Sequence, residues 1–343
     1  MVEDDREAAV EKSASGRLWF VKPGQEVLFY RINRRPIGGD PSLFQPDPDL
    51  LGHLKRVLEY AEPGTSGTQY QRTWRLGDLR FDDQRATFTG RLGWARSGEA
   101  VGQAWDDEQH SWLDRVVAKD ESAVAPVAFT ANGRVLGVLK NPSFSTESVL
   151  GEVLTQILNR GERRDDFPTT EWSVEPLGDS QEFYEWLDSL DQLLILRMVF
   201  ARPNPDGEQE FQELFERLDA YEADQITEEI RARDQVSGLK KGAVKEDPTT
   251  QGFMVAALRY AFGRVWAKGK KNGRTVHYDQ RKQVARASID AVGSDWETAT
   301  DSVLGAVERQ AERRRRPDCL RAREHGRTSS VPGHHHQLGV HVK

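Results

Sequence analysis

Cysteine is nearly missing: the 343 residues contain one, Cys319. It cannot close an intrachain disulfide, so no staple supports the fold, and the composition predicts a protein of the reducing cytoplasm. Long apolar runs are missing too. The longest, Leu193 to Ala201, is interrupted by Arg197 and falls far short of the ~20 residues a membrane-spanning helix needs. The opening residues Met1-Val2-Glu3-Asp4-Asp5-Arg6 are acidic and carry no apolar core, which predicts no secretory signal and no membrane partner. The common catalytic fingerprints are absent as well. No Gly-x-Gly-x-x-Gly follows a strand pattern. Gly263 and Gly269-Lys270 stand one residue too far apart for a phosphate-cradling P-loop, and no Ser or Thr follows the lysine. Neither a His-Glu-x-x-His nor a Gly-x-Ser-x-Gly motif occurs, and one cysteine excludes a Cys-rich zinc site. The sequence therefore predicts no cofactor and no resident metal.

Charge is what the chain has in plenty. Charged residues make up 30% of it, with 48 Lys and Arg against 55 Asp and Glu, a net of -7. That balance argues against a protein coating nucleic acid with its whole surface, but it leaves room for a local basic face. One stretch stands out. Arg259 to Arg286 holds nine cations and one acid, Asp279, a net of +8 in a chain that is acidic as a whole. The residues from Arg313 to the C-terminus are also basic, with eight cations and two acids.

Apolar periodicity predicts an α+β fold. A mostly antiparallel, β-rich N-terminal region is followed by a mixed α/β C-terminal region with a basic β-hairpin. Residues 1–15 read as a disordered leader, 16–165 as a β-rich α+β domain, 166–311 as an α/β-like domain, and 312–343 as a disordered basic tail. Alternating stretches predict strands at 17–21, 26–31, 69–76, 85–94, 115–119 and 124–130, with Asn132-Gly133 turning the last onto 135–139. Leu50, Leu51, Leu54, Val57 and Leu58 predict a short amphipathic helix. Val149 to Leu158 predict a second, ended by Gly161. In the second half, Ser180 is expected to cap a helix, Gln192 to Phe200 to form a central strand buried on both faces, and Glu208 to Arg233 to form one acidic helix. Phe253 to Phe262 reads as a helix, Gly263 to Lys268 and Arg274 to Tyr278 as a hairpin around Lys271-Asn272-Gly273, and Asp295 to Arg309 as the last helix.

Three sets of side chains carry chemistry. The strongest is the basic hairpin: Arg264, Trp266, Lys268, Lys270, Lys271, Arg274, Tyr278, Arg281 and Lys282, with His277 among them. Cations neutralise phosphates and aromatic faces hold unstacked bases, so this set predicts DNA or RNA binding without intrinsic catalysis. The opposing reading makes the same cations a counterweight to the acidic helix, within the chain or in a second copy. A protein-interaction subunit would then self-assemble by charge, and Trp266 and Tyr278 would be core. The second set is Asp106, His110 and Asp114, spaced i, i+4, i+8. On a helix they would share one face and hold a hard divalent metal; otherwise they are a solvated surface. The third is Asp166 with Glu171, the nearest approach to the acid, acid-x-Lys pattern of metal-dependent nucleases. Ser173 stands where the lysine belongs. His334, His335, His336 and His341 read as a flexible tail. The layout as a whole is compatible with bacterial proteins of conflict or phage-defence islands, though no residue-level motif carries that comparison.

Overall fold

The computed structural model describes residues 25–36, 49–66, 72–96, 99–106, 111–118, 121–144, 146–164, 170–201, 211–234, 236–289 and 296–315. The predicted leader, strand 17–21 and residues 316–343 of the predicted tail lie outside them, whereas residues 312–315, which the sequence assigns to that tail, form the end of the helix Trp296–Arg315. The fold class is α+β with antiparallel sheets, as the periodicity predicts.

The larger sheet is built around β1 (Gln25–Pro36), which is buried on both faces. Its side chains alternate between two helical layers, as strand geometry requires. Leu28, Tyr30 and Ile32 pack with α1 (Leu50–Glu59) and α2 (Glu147–Arg164) on one face. Val27 and Phe29 pack with α7 (Trp296–Arg315) on the other. The sheet runs β14-β1-β8-β7-β4-β3-β2, and β9 also pairs with β1. These strands are β2 (Gly64–Ser66), β3 (Arg72–Asp82), β4 (Thr87–Arg96), β7 (Glu121–Thr130), β8 (Val135–Leu139), β9 (Thr170–Pro176) and β14 (Arg286–Ile289).

The smaller sheet, β11-β10-β12-β13, comprises β10 (Gln192–Ala201), β11 (Gln225–Arg231), β12 (Gly263–Lys271) and β13 (Arg274–Asp279). Its inner face packs on α3 (Ser180–Asp188), α4 (Gln212–Ala220) and α6 (Pro248–Leu258) through Phe183, Leu187, Leu214, Leu218, Phe253 and Met254. The short α5 (Lys241–Glu246) adds Val244 to this core. A separate ribbon joins β5 (Glu99–Asp106) to β6 (Ser111–Ala118).

Several expectations need correction. The boundary at 165/166 does not divide the sheets, because β9, β14 and α7 all return to the first one. The second half is not α/β-like in its pairing, since every ladder of the smaller sheet is antiparallel. The acidic stretch expected as one helix is α4 followed by β11. Residues 225–231 alternate and are β-branched at Ile226, Thr227 and Ile230, so they complete the sheet beside β10. Gly161 does not end α2, which continues to Arg164; a Cβ at Gly161 would stand 2.1 Å from the Val57 carbonyl oxygen. The glycine is there because α1 crosses close. The α3 N-cap is Asp179, whose carboxylate accepts from the Gln181 and Glu182 amides, rather than Ser180.

Candidate nucleic-acid interface

The predicted hairpin forms, and its tip explains why. Asn272 and Gly273 both take positive φ, 51° and 72°. Two consecutive left-handed residues make the turn whose twist matches antiparallel strands, and Asn-Gly supplies them at least cost. Register then sorts the side chains. Val265, Ala267 and Gly269 face inward, while Arg264, Trp266, Lys268 and Lys270 stand on the outer face. Lys268 lies across from His277 and Lys270 across from Thr275, with Lys271 and Arg274 at the exposed tip.

Tyr278 does not belong to this face. It pairs with Ala267 on the inner side, is 1% exposed, and packs edge-on to Phe183 with ring centroids 4.9 Å apart. Burial pushes its hydroxyl well above the usual phenol range. It is core, so the nucleic-acid role expected for it is withdrawn. Trp266 is the opposite case. It is half-buried on the outer face, its ring 5.5 Å from His277 at an angle of 35°. Arg197 of β10 reaches the same indole, with its guanidinium carbon 6.0 Å from the ring centroid. In the sequence Arg197 only interrupts an apolar run. An arginine in a central strand has to point to the open side, and that was the available signal.

Arg281 and Lys282 follow β13 in an exposed turn. Arg281 lines a groove of about 350 Å³ between α2 and β9 together with Glu152, Glu171 and Glu175, so it leaves the hairpin face for an acidic neighbourhood. Lys282 is exposed beside it.

Among the described residues, Glu228 and Glu229 of β11 pair with arginines outside the hairpin. Glu229 of β11 accepts from Arg197 Nε at 2.6 Å and is also paired with Arg231; these hydrogen bonds, Arg197's first, hold its carboxyl below the usual range. Glu228 lies 3.9 Å from Arg217 of α4. β11 and β13 are opposite edges of the sheet, with β10 and β12 between them. Two to three strand spacings put the acids roughly 10–14 Å from the hairpin strands, beyond the ~8 Å screening length at physiological salt. Among the described residues Arg264, Lys268, Lys270, Lys271 and Arg274 form no ion pair.

The helical alignment expected for the first carboxylate set does not form. Asp106 and Asp114 lie on the β5–β6 ribbon, where Asp106 pairs with Ser111 and Asp114 with Gln103, so the helical spacing that would align them with His110 does not exist. His110 and Asp166 lie outside the described residues. Glu171 sits on β9 across from Arg35. Among the described residues no group of three or more His, Cys, Asp or Glu is placed to hold a metal ion.

One buried polar cluster escaped sequence reasoning. Glu162 of α2, 3% exposed, receives Trp172 Nε1–H at 2.8 Å and His53 Nε2 at 2.9 Å, as well as the Thr170 hydroxyl. Arg34 Nη2 lies 3.5 Å from the same carboxylate. Burial alone would raise the Glu162 pKa, but the hydrogen bonds from His53, Thr170 and Trp172 and the His53 charge bring it below its ordinary value. The cluster ties α1, α2, β1 and β9 together inside the core, with each participant buried. It positions elements rather than meeting a ligand.

No described helix is long and apolar enough to cross a membrane. The family model of DUF4747, a domain of unknown function, matches residues 102–299, more than half of the chain. No curated protein matches.

Proposed function

The chain belongs to the DUF4747 family, and from that premise we propose that it binds nucleic acid through the outer face of its smaller sheet. It acts in the reducing cytoplasm as a binding protein without catalysis of its own. The observation that supports this most is the outer face itself: among the described residues the cations of β12 and the β12–β13 tip form no ion pair and flank Trp266 and His277, Asp279 is the one acid on β12 and β13, and the acids of β11 are engaged at the other edge. Cations of this kind carry affinity through phosphate contacts, and none of them sits on a helix positioned to read base edges, so sequence preference is weak.

The test is a salt titration. Four to six neutralised phosphates give a slope of roughly -3 to -5 in log affinity against log salt. Changing Lys268, Lys270, Lys271 and Arg274 together to Ala removes most of the binding and leaves the melting temperature near that of the wild type, because Lys271 and Arg274 are exposed and the lysines of β12 lie on the outer face. Wild-type protein that shows no salt-sensitive binding at low ionic strength, or a quadruple variant that binds as well as wild type, defeats the proposal. Oligomers that shrink as salt rises would then point to charge-driven self-assembly.

A further inference from the structure

We infer that the occupant of this face is a single strand, with a base laid on the Trp266–His277 pair and its phosphates running over Lys268 and Lys270 towards the hairpin tip. This rests on the nucleic-acid reading above and narrows it.

Two observations exclude a duplex reader. A two-stranded ribbon enters a major groove only if it projects as a ribbon. Here β12 is paired on its other side with β10 as far as Gln192 opposite Lys270, one residue short of the end of the strand at Lys271. The hairpin is the border of a four-stranded sheet. Three strand spacings make that sheet roughly 14 Å wide before side chains are added, more than the ~12 Å of the groove. The chemistry of the face points the same way. Trp266 lies mid-strand, with Arg197 across from it on β10 and Asp279 across from it on β13. An indole at that position offers a ring face, and a duplex base has no free face to give it. An unpaired base does, and stacking on an aromatic tolerates any base. Arg197, already within cation–π range of the indole, is held by Glu229, so it flanks the platform in a fixed position.

The charge layout sets the direction of the strand. Arg264, Trp266, Lys268 and Lys270 follow one another along the same face of β12 in two-residue steps of about 7 Å, so that Lys268 and Lys270 stand close to the phosphate spacing of an extended strand. The tip residues Lys271 and Arg274 continue the line beyond the sheet.

The deciding experiment uses the full chain and three fluorescent probes at low salt: an oligothymidine of about 12 residues, a duplex of the same length, and an abasic strand with the same number of phosphates. The oligothymidine is expected to bind at least about tenfold tighter than the other two, a difference of about 1.4 kcal/mol. Trp266→Ala lowers oligothymidine affinity by about 5- to 150-fold and leaves duplex and abasic binding unchanged, while Trp266→Phe retains most of it. Should Trp266→Ala fail to fold, tryptophan quenching decides instead: oligothymidine quenches the wild type more than Trp266→Phe. Equal affinity for all three probes, or equal quenching in both proteins, overturns the single-strand inference while leaving nucleic-acid binding in place. No binding of any probe removes both.

Discussion

Glu162 shows how much one side chain decides in this chain. Four groups point hydrogen atoms at its carboxylate: His53, Thr170, Trp172 and Arg34. A glutamine of the same shape presents one oxygen and an amide that cannot accept. Glu162→Gln therefore leaves buried donors unmet and takes the negative charge out of the buried cluster, and breaking a buried charge cluster this way costs about 3–5 kcal/mol. Urea denaturation of the variant reads that loss directly; a change under about 1 kcal/mol would show that the cluster is not integral to the core. The sign with pH follows from the direction of the shift. Folding lowers the Glu162 pKa below its ordinary 4.5. Its contribution is fully present above that value and is lost as pH falls through the lower, folded-state pKa, so Glu162→Gln should flatten the acid limb of the stability profile.

Elements were legible wherever a local pattern set them. Asn272-Gly273 fixes its hairpin by backbone conformation alone, and Leu50 to Leu58 mark α1 by spacing. What failed was non-local. The acidic residues and apolar spacing of the β11 segment suit a helix as well as a strand; only pairing with β10 selects the strand. Trp266 and Tyr278 were grouped by composition, and register separates them, one facing outward and one inward. The Glu162 cluster gave no sequence signal, since its members come from four elements more than a hundred residues apart at the extremes. Gly161 is the sharpest case. Read as a terminator, it is a packing residue, and a Cβ there meets the Val57 carbonyl oxygen at 2.1 Å. Ala would gain about 1 kcal/mol of helix propensity but force α1 away from α2. Overpacking of this kind costs about 1–3 kcal/mol, so Gly161→Ala should lower stability on balance. A melting temperature above the wild type would show that the two helices can separate freely.

At the scale of the molecule, the second sheet is an insertion between strands of the first. Chain leaves the larger sheet after β9 and returns at β14, which pairs with β1 through Gln25↔Ile289 to Leu28↔Arg286. Buried Gln280 joins the two units: its amide donates to the Pro176 and Ala257 carbonyls and its oxygen accepts from the Val265 amide. Arg259 and Arg314 complete the junction, since Arg259 donates to the Arg314 carbonyl and Arg314 to the Leu258 carbonyl at the ends of α7 and α6. That placement carries a cost: burial, and then the charges of Arg31 and Arg259, push the Arg314 pKa from 12.5 down to about 9. The arrangement predicts how the chain divides. A fragment of residues 1–165 lacks β9, β14 and α7, so β1 becomes an edge strand with an unpaired row of amides and carbonyls. Val27, Phe29, Ala125 and Val135 lose the helix that covers them. This fragment is expected to aggregate or to melt without cooperativity. Residues 178–283 keep all four strands of the smaller sheet together with α3, α4, α5 and α6, and with them a self-contained core. They are expected to melt cooperatively at a lower temperature than the whole chain, having lost the Pro176 and Arg314 contacts. Circular dichroism of the two fragments checks both statements, and a cooperative melt from residues 1–165 would return the boundary to where the composition first put it.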